Sequence, residues 1–270
     1  MNYRLYGEMM SDEERYRAPA LDKGLDILEL LAGIDGGLTQ TEIAQALNRS
    51  PNEFYRMLDR LQRRGYVRRI DGDRFALTLK LFGLAQMHTP IRRLVSYATP
   101  LMRELAARTR QANHLAVFDR GRVVVVGQQE APGYWGISLR VGSHIDLFNT
   151  GSGHVLLAFS TPEQRDMMIA EYQSDSGEDP PGDLDERLAR ISSDGCEAMP
   201  SAQTLGVFNL SAPVLVSNGS AIAAVTIPYI PLVDTRDAPD MAECTRLVVE
   251  MCRALSEMAG TIVRAGSTAE

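Results

Sequence analysis

Two helix-start signatures stand eleven residues apart near the N-terminus, Thr39 with Glu42 and Ser50-Pro51 with Glu53. In each, a hydroxyl and a glutamate three residues on satisfy amides that a helix start leaves unpaired, and Pro51 takes the first helical position, where its missing N–H is not needed. The first helix of the pair must therefore be short. It is predicted over residues 41–47, and after Asn48-Arg49 a longer one runs from Ser50 to just before Gly65. Upstream, Leu21, Leu25, Leu28 and Leu31 recur at helical spacing and the run stops at Gly36-Gly37. Downstream, Tyr66-Val67-Arg68-Arg69-Ile70 and Arg74-Phe75-Ala76-Leu77 flank Asp71-Gly72-Asp73, the pattern of a β-hairpin. Three helices and a hairpin in this order predict a winged helix-turn-helix.

Charge agrees with that reading once it is located. The 270-residue chain carries a net charge of −7, but residues 1–90 hold 13 basic and 13 acidic side chains, so the excess acid lies in the remainder. Between Arg49 and Arg74 eight arginines stand against Glu53, Asp59, Asp71 and Asp73, the one basic concentration in the sequence. At 100° per residue Phe54, Met57, Leu58 and Leu61 share one face of the longer helix, while Asn52, Tyr55, Arg56, Asp59 and Arg63 share the other. A polar face backed by an apolar one suits a helix that enters a groove. Arg56 and Asn52 are the candidates for base edges, because guanidinium and amide groups pair bidentately with guanine and adenine. Arg49, Arg60, Arg68, Arg69 and Arg74 are candidates for phosphates, with Tyr55 and Arg63 on the same outward face. The expected partner is double-stranded operator DNA. A winged fold used as a protein–protein module is the alternative, which the arginines disfavour.

The length is too great for one small module and predicts two domains. A flexible tail is expected over residues 1–18, the winged domain over 19–82, a helical connector over 83–108 and a second domain over 109–266. The connector reads as a short helix over residues 79–87, ending at Thr89-Pro90, and a longer one over 91–108 broken or bent at Pro100. From His114 the period changes to two: residues 114–119 and 122–128 bracket Arg120-Gly121 as a hairpin. Further strands are predicted over 136–141, 209–216 and 221–227, with helices over 153–159, 162–172, 184–192 and 240–265 and an exposed loop over 174–183. Hairpins with helices inserted between distant strands predict an antiparallel sheet flanked by helices, hence an α+β fold class.

Several functions are disfavoured. No apolar run approaches the roughly 18–20 residues that span a bilayer, and residues 1–17 lack the apolar core of a signal peptide, so a cytoplasmic protein without membrane contact is expected. Cys196, Cys244 and Cys252 show no metal-site spacing, and no cofactor or metal is expected. An enzyme using one of the four histidines or Cys196 is the rival from another class, but H-E-x-x-H and G-x-S-x-G are both missing and nothing in the sequence sets a histidine beside Cys196. A second rival is a DNA-binding protein whose C-terminal domain only assembles subunits.

Ala20-Leu21-Asp22-Lys23-Gly24-Leu25-Asp26-Ile27-Leu28, Tyr55-Arg56-Met57-Leu58, Gly65-Tyr66-Val67, Leu115-Ala116-Val117, Val141-Gly142-Ser143, Thr150-Gly151-Ser152-Gly153-His154-Val155-Leu156-Leu157-Ala158 and Gly206-Val207 leading to Ala212-Pro213-Val214 occur in an order and spacing that resembles the IclR family of bacterial one-component transcription regulators. The resemblance spans residues 18–265. It implies a winged helix-turn-helix followed by a GAF-like effector-binding domain, in a homodimer or homotetramer whose DNA binding responds to a small molecule. It points to Gly151 and Ser152 at a helix N-terminus, then Met199, Asn209, Thr226 and Pro228 along the sheet, as effector contacts. Relatives often carry an acid at the position of Met199, a cysteine or serine at Asn209 and a serine at Pro228, so a less polar site and a larger, partly aromatic acid are expected here. His154 stands where a lysine is usual. Unpaired amides at Gly151 and Ser152 suit the carboxylate of a small organic acid, and Tyr134 and Trp135 are candidates to close the pocket. Leu79, Leu81, Phe82 and Leu94 are candidate dimer contacts.

Overall fold

The computed structural model describes residues 18–87, 89–133, 136–231 and 238–266, with 89–90 and 260–266 described by their backbone alone. The expected tail, apart from Ala18, and the two candidate pocket-closing aromatics Tyr134 and Trp135 lie outside the described residues. The chain divides into two compact units between His88 and Thr89.

The first unit runs α1 (Pro19–Ala32), β1 (Leu38–Thr39), α2 (Gln40–Ala46), α3 (Pro51–Arg63), β2 (Val67–Ile70), β3 (Arg74–Leu77) and α4 (Lys80–Met87). Both capping boxes are present, at Thr39 and at Ser50. The wing is an antiparallel β2–β3 hairpin turning through Asp71–Asp73, and β1, too short to show a period in the sequence, pairs on its far side with Leu38 opposite Phe75. Ile27, Leu31, Ile43, Phe54, Leu58, Val67 and Phe75 form the core. The leucine stripe expected to face inward along α1 is only half right, because Leu21 and Leu25 are exposed. Ile27 and Leu31 are also four residues apart, and that competing stripe is the one the core takes up.

The second unit contains α5 (Thr89–Thr109), β4 (Asn113–Asp119), β5 (Arg122–Gln129), β6 (His144–Ile145), α6 (Gly151–Ala158), α7 (Pro162–Ser176), α8 (Leu184–Asp194), β7 (Glu197–Pro200), β8 (Phe208–Leu215), β9 (Ala221–Tyr229) and α9 (Met241–Gly266). Its six strands form an antiparallel sheet in the order β6-β5-β4-β9-β8-β7, so the fold is α+β. Strand alternation sorts the residues. Leu115, Val117, Leu210, Ala212, Val214, Val225 and Ile227 pack beneath α5 and α9, while Ala116, Val123 and Ala224 pack with α6, α7 and α8 on the other face.

Three sequence expectations change here, and one strand is added. Of the break or bend expected at Pro100, the break is absent, since helix α5 continues through it; its inward side chains Leu94, Ala98, Met102 and Leu105 are buried in the core of this unit, which offsets the single backbone hydrogen bond a proline forfeits. The strand expected over residues 136–141 is irregular, and only His144 and Ile145 join β5. Gly142 turns the chain with a positive φ of 89°, and Leu139 spends its N–H on the Gln128 side chain instead of a strand. Part of the loop expected over 174–183 is helix, since α7 persists to Ser176 before Gly177 stops it in the left-handed region. Strand β7, four residues long, had no readable period.

Candidate functional site

Helix α3 is held at its start by both a cap and an ion pair. Glu53 accepts from the Ser50 backbone N–H at 3.2 Å and the Ser50 hydroxyl at 3.0 Å, and Lys23 of α1 donates to it at 2.7 Å. The Lys23 hydrogen bond, followed by those from Ser50, draws the Glu53 carboxyl down to about 2. Phe54 and Leu58 are buried, which anchors the inner face, and Asn52, Tyr55 and Arg56 stand exposed on the outer one. Arg56, Arg60 and Arg68 have no ion-pair partner among the described residues, whereas Arg63 pairs with Asp59 at 2.9 Å, Arg69 with Asp73 at 2.8 Å and Arg49 with Glu53 at 3.8 Å. Exposed pairs of this kind contribute little and exchange readily for a phosphate.

Arg74, a candidate phosphate contact, is engaged within its own unit. Its Nε donates to the carbonyls of Gly36 and Gly37 at 3.2 and 3.1 Å, and its Nη2 meets Glu42 at 3.0 Å. Half-buried, it stitches the wing to the turn before β1, because the β1–β3 pairing brings its guanidinium over those carbonyls.

In the second unit, strand alternation places His114 of β4, Asn209 of β8, and Thr226 and Pro228 of β9 beside the N-terminus of α6, around a cavity of about 270 Å³. Gly151 and Ser152 complete this side of it; Met199 is not among the lining residues. Met199 pairs with Asn209 but from the edge strand β7, one strand spacing farther out. Ile137, Leu139 and Val207 add apolar wall; Asp146 also lines the space, its carboxylate accepting from the Phe148 and Asn149 N–H groups, and among the described residues no lysine or arginine does. Thr150 caps α6 by accepting the Gly153 N–H at 3.1 Å, and the amides of Gly151 and Ser152, ahead of it in the first turn, have no hydrogen-bond partner among the described residues.

Both α6 glycines are dictated by packing. A Cβ on Gly151 would lie 2.3 Å from Ser211 Oγ, and one on Gly153 would lie 2.2 Å from the Leu147 carbonyl oxygen. The wall also holds a hydrogen-bonded chain: Ser211 Oγ to Thr226 Oγ1 at 2.7 Å, Thr226 Oγ1 to Ser152 Oγ at 2.8 Å, and Ser152 Oγ to His114 Nε2 at 3.2 Å. Burial lowers the His114 imidazole to about 4, so the ring is neutral at pH 7.

Residues 20–71 match the IclR helix-turn-helix domain, and residues 88–257 match the bacterial transcriptional regulator IclR C-terminal domain. The chain belongs to the IclR family. This IclR-family chain is 30% identical over 245 residues to the HTH-type transcriptional regulator BhcR of Paracoccus denitrificans (strain Pd 1222), an alignment covering 88% of this chain and 86% of that one. Its fold is that of the Thermotoga maritima IclR (TM-score 0.70, 22% identity, 89% of this chain and 98% of the other). It is also that of an IclR homolog from Microbacterium hydrocarbonoxydans (TM-score 0.71, 19% identity, 90% and 99%). It is a helix-turn-helix transcription regulator.

Two features of this IclR-family site were not readable in the sequence. His114 falls within a predicted strand, and its polar side chain at the alternate position to Leu115 was the available signal. His154 is fully buried with Nδ1 2.8 Å from Glu197 Oε2 and Nε2 beside the Phe148 carbonyl. Arg187, itself paired with Asp183 at 2.8 Å, approaches the same Nε2 at 3.1 Å. The pair ties α6 to the edge strand β7. Cys196 lies next to this carboxylate, and burial, then Asp194 and Glu197, push its thiol up. The thiolate is the nucleophilic form, so these neighbours oppose the enzymatic rival built on Cys196. Among the described residues no group of three or more His, Cys, Asp or Glu is arranged to hold a metal, and no helix is long and apolar enough to cross a membrane.

Proposed function

We propose that this regulator reads double-stranded operator DNA with the outward face of α3 and the wing, and that a small, aromatic organic acid in the α6 cavity modulates that binding in the cytoplasm without being turned over. The observation that carries the reading is the cavity of about 270 Å³ lined by Gly151 and Ser152 at the N-terminus of α6. Helix N-termini favour anions, Ile137, Leu139, Ile145 and Val207 offer apolar surface to a ring, and ligand pockets begin at roughly 300 Å³, so a compact monocarboxylate suits the space. The Microbacterium hydrocarbonoxydans homolog is complexed with 4-hydroxybenzoate, which supports an acid of that class. Calorimetry with aromatic and aliphatic monocarboxylates, followed by gel shifts on operator DNA, tests the proposal. One acid should bind and change operator affinity, by no more than its own affinity differs between the two states of the protein. Binding of cations alone would overturn the assignment.

The assembly is proposed to be a symmetric homodimer or homotetramer, since a single winged domain buries too little surface for tight, specific operator binding. Leu79, just before α4, and Phe82 within it, 82% and 62% exposed, support this, as do Leu21 and Leu25 of α1. Leu94, at 7% exposure, is occupied within its own unit and drops out of the expected contacts. Light scattering should find no monomer at micromolar concentration, and Phe82→Glu should produce one.

A further inference from the structure

His114 ends the hydrogen-bonded chain on the cavity wall, in which three links join Nε2, Ser152 Oγ, Thr226 Oγ1 and Ser211 Oγ. Each link consumes one proton. With the imidazole proton on Nδ1, all three hydroxyl protons are used inside the chain, and Ser152 and Thr226 present only lone pairs to the cavity. With the proton on Nε2, four protons serve three links, and one hydroxyl proton is left over, which Ser152 or Thr226, both on the cavity wall, can turn toward an occupant. The two tautomers therefore make opposite walls: the first repels a carboxylate oxygen, and the second donates to it.

The surroundings of the ring choose between them. Nδ1 has no hydrogen-bond partner among the described residues, and the side chain is 4% exposed. A buried N–H without an acceptor is the rarer and costlier defect, whereas a bare ring nitrogen gives up only an acceptor position. The proton thus belongs on Nε2, where Ser152 Oγ accepts it.

We propose that His114 is the positioning residue that sets ligand class in this pocket: as the Nε2–H tautomer it donates to Ser152 and frees one hydroxyl proton, which joins the amides of Gly151 and Ser152 as a third donor to the ligand's carboxylate. The ligand part of this rests on the effector reading above; the proton arrangement does not. With no lysine or arginine on the wall, neutral donors do the work of a positive charge. A primary amide keeps one acceptor oxygen but sets an NH2 donor where a carboxylate has its second oxygen, so it binds more weakly.

Imidazole 15N shifts of the ligand-free full chain at pH 7 read the tautomer directly. Protonated Nε2 with bare Nδ1 is expected, and a protonated Nδ1 overturns the proposal whether or not any acid binds. Calorimetry then compares benzoate with benzamide on the unaltered protein, His114→Gln and His114→Leu, with thermal melts reporting that each variant folds. The glutamine amide donates in the same direction, so His114→Gln should hold benzoate within about threefold, while His114→Leu loses roughly tenfold or more and narrows the preference for benzoate over benzamide. Unchanged benzoate affinity and preference in His114→Leu overturns the proposal. If the unaltered protein binds no benzoate but Nε2 is protonated, the aromatic-acid reading fails while the proton arrangement is upheld.

Discussion

Lys23 Nζ in the first helix lies 2.7 Å from Glu53 Oε2, 30 residues later at the start of α3. The contact couples the orientation of α3 to α1 through a carboxylate whose pKa is about 2 against an ordinary 4.5. A depressed carboxyl stabilises the folded form fully above about pH 4.5, and that contribution disappears as the pH falls toward 2. Lys23→Ala should move the NMR titration midpoint of Glu53 upward toward its ordinary value and bring acid unfolding of the first unit, followed by circular dichroism, to higher pH. An unmoved midpoint would mean that Ser50 alone holds the carboxylate.

The arginines of the first unit separate by their partners. Arg56→Ala, on the exposed face of α3, should weaken operator binding by about 1–3 kcal/mol and relax preference at one base pair. Arg68→Ala should weaken all sequences alike and lower the slope of log affinity against log salt by about 1. Arg74→Ala should instead lower the melting temperature, since its guanidinium holds Gly36, Gly37 and Glu42. Gel shifts at several salt concentrations, with melting curves for each variant, distinguish the three outcomes.

The glycines at the start of α6 should respond differently to repair. Gly151→Ala and Gly153→Ala are each expected to destabilise by about 1–3 kcal/mol through overpacking. Ser211→Ala removes the oxygen that a Gly151 Cβ would strike at 2.3 Å, so it should restore much of the loss in Gly151→Ala. It should do nothing for Gly153→Ala, whose obstacle is the Leu147 backbone. Urea denaturation of the single and double variants checks this; equal rescue of both would refute the packing account.

The buried pair His154–Glu197 should behave as a unit. His154→Leu leaves a carboxylate in the interior, 3% exposed, with its imidazole partner gone. Removing one partner of a buried pair costs about 3–5 kcal/mol, while replacing both with apolar side chains is often close to neutral. His154→Leu/Glu197→Leu should thus be more stable to urea than His154→Leu alone. A double variant no better than the single would show that Glu197 has other compensation.

Much of the first unit was legible because its signals are local. Thr39 and Glu42, or Ser50 and Glu53, recognise each other across three residues, and Asp71-Gly72-Asp73 closes a hairpin between adjacent strands. The effector-side residues were reached through family resemblance, and there the margin of error was one strand: Asn209 lines the cavity and its cross-strand partner Met199 does not. In the sequence His114 stands out only as one of the four histidines of the enzymatic rival, because a histidine in a strand is silent until its neighbours are known.

The sequence by itself determined where helices start and stop, which face of α3 is apolar and how the basic charge is concentrated, since each of these depends on residues within a turn or two of one another. Only the tertiary structure decided which of two stripes on α1 turns inward, that Arg74 faces the protein, and that α6 needs glycine against Ser211 and Leu147. Those outcomes depend on which surfaces meet across long chain separations, such as the 38 residues from His114 to Ser152 and the 74 from Ser152 to Thr226. Periodicity carries no record of such distances, because the proton arrangement and the shape of the cavity wall come into being only when the strands and α6 close on one another.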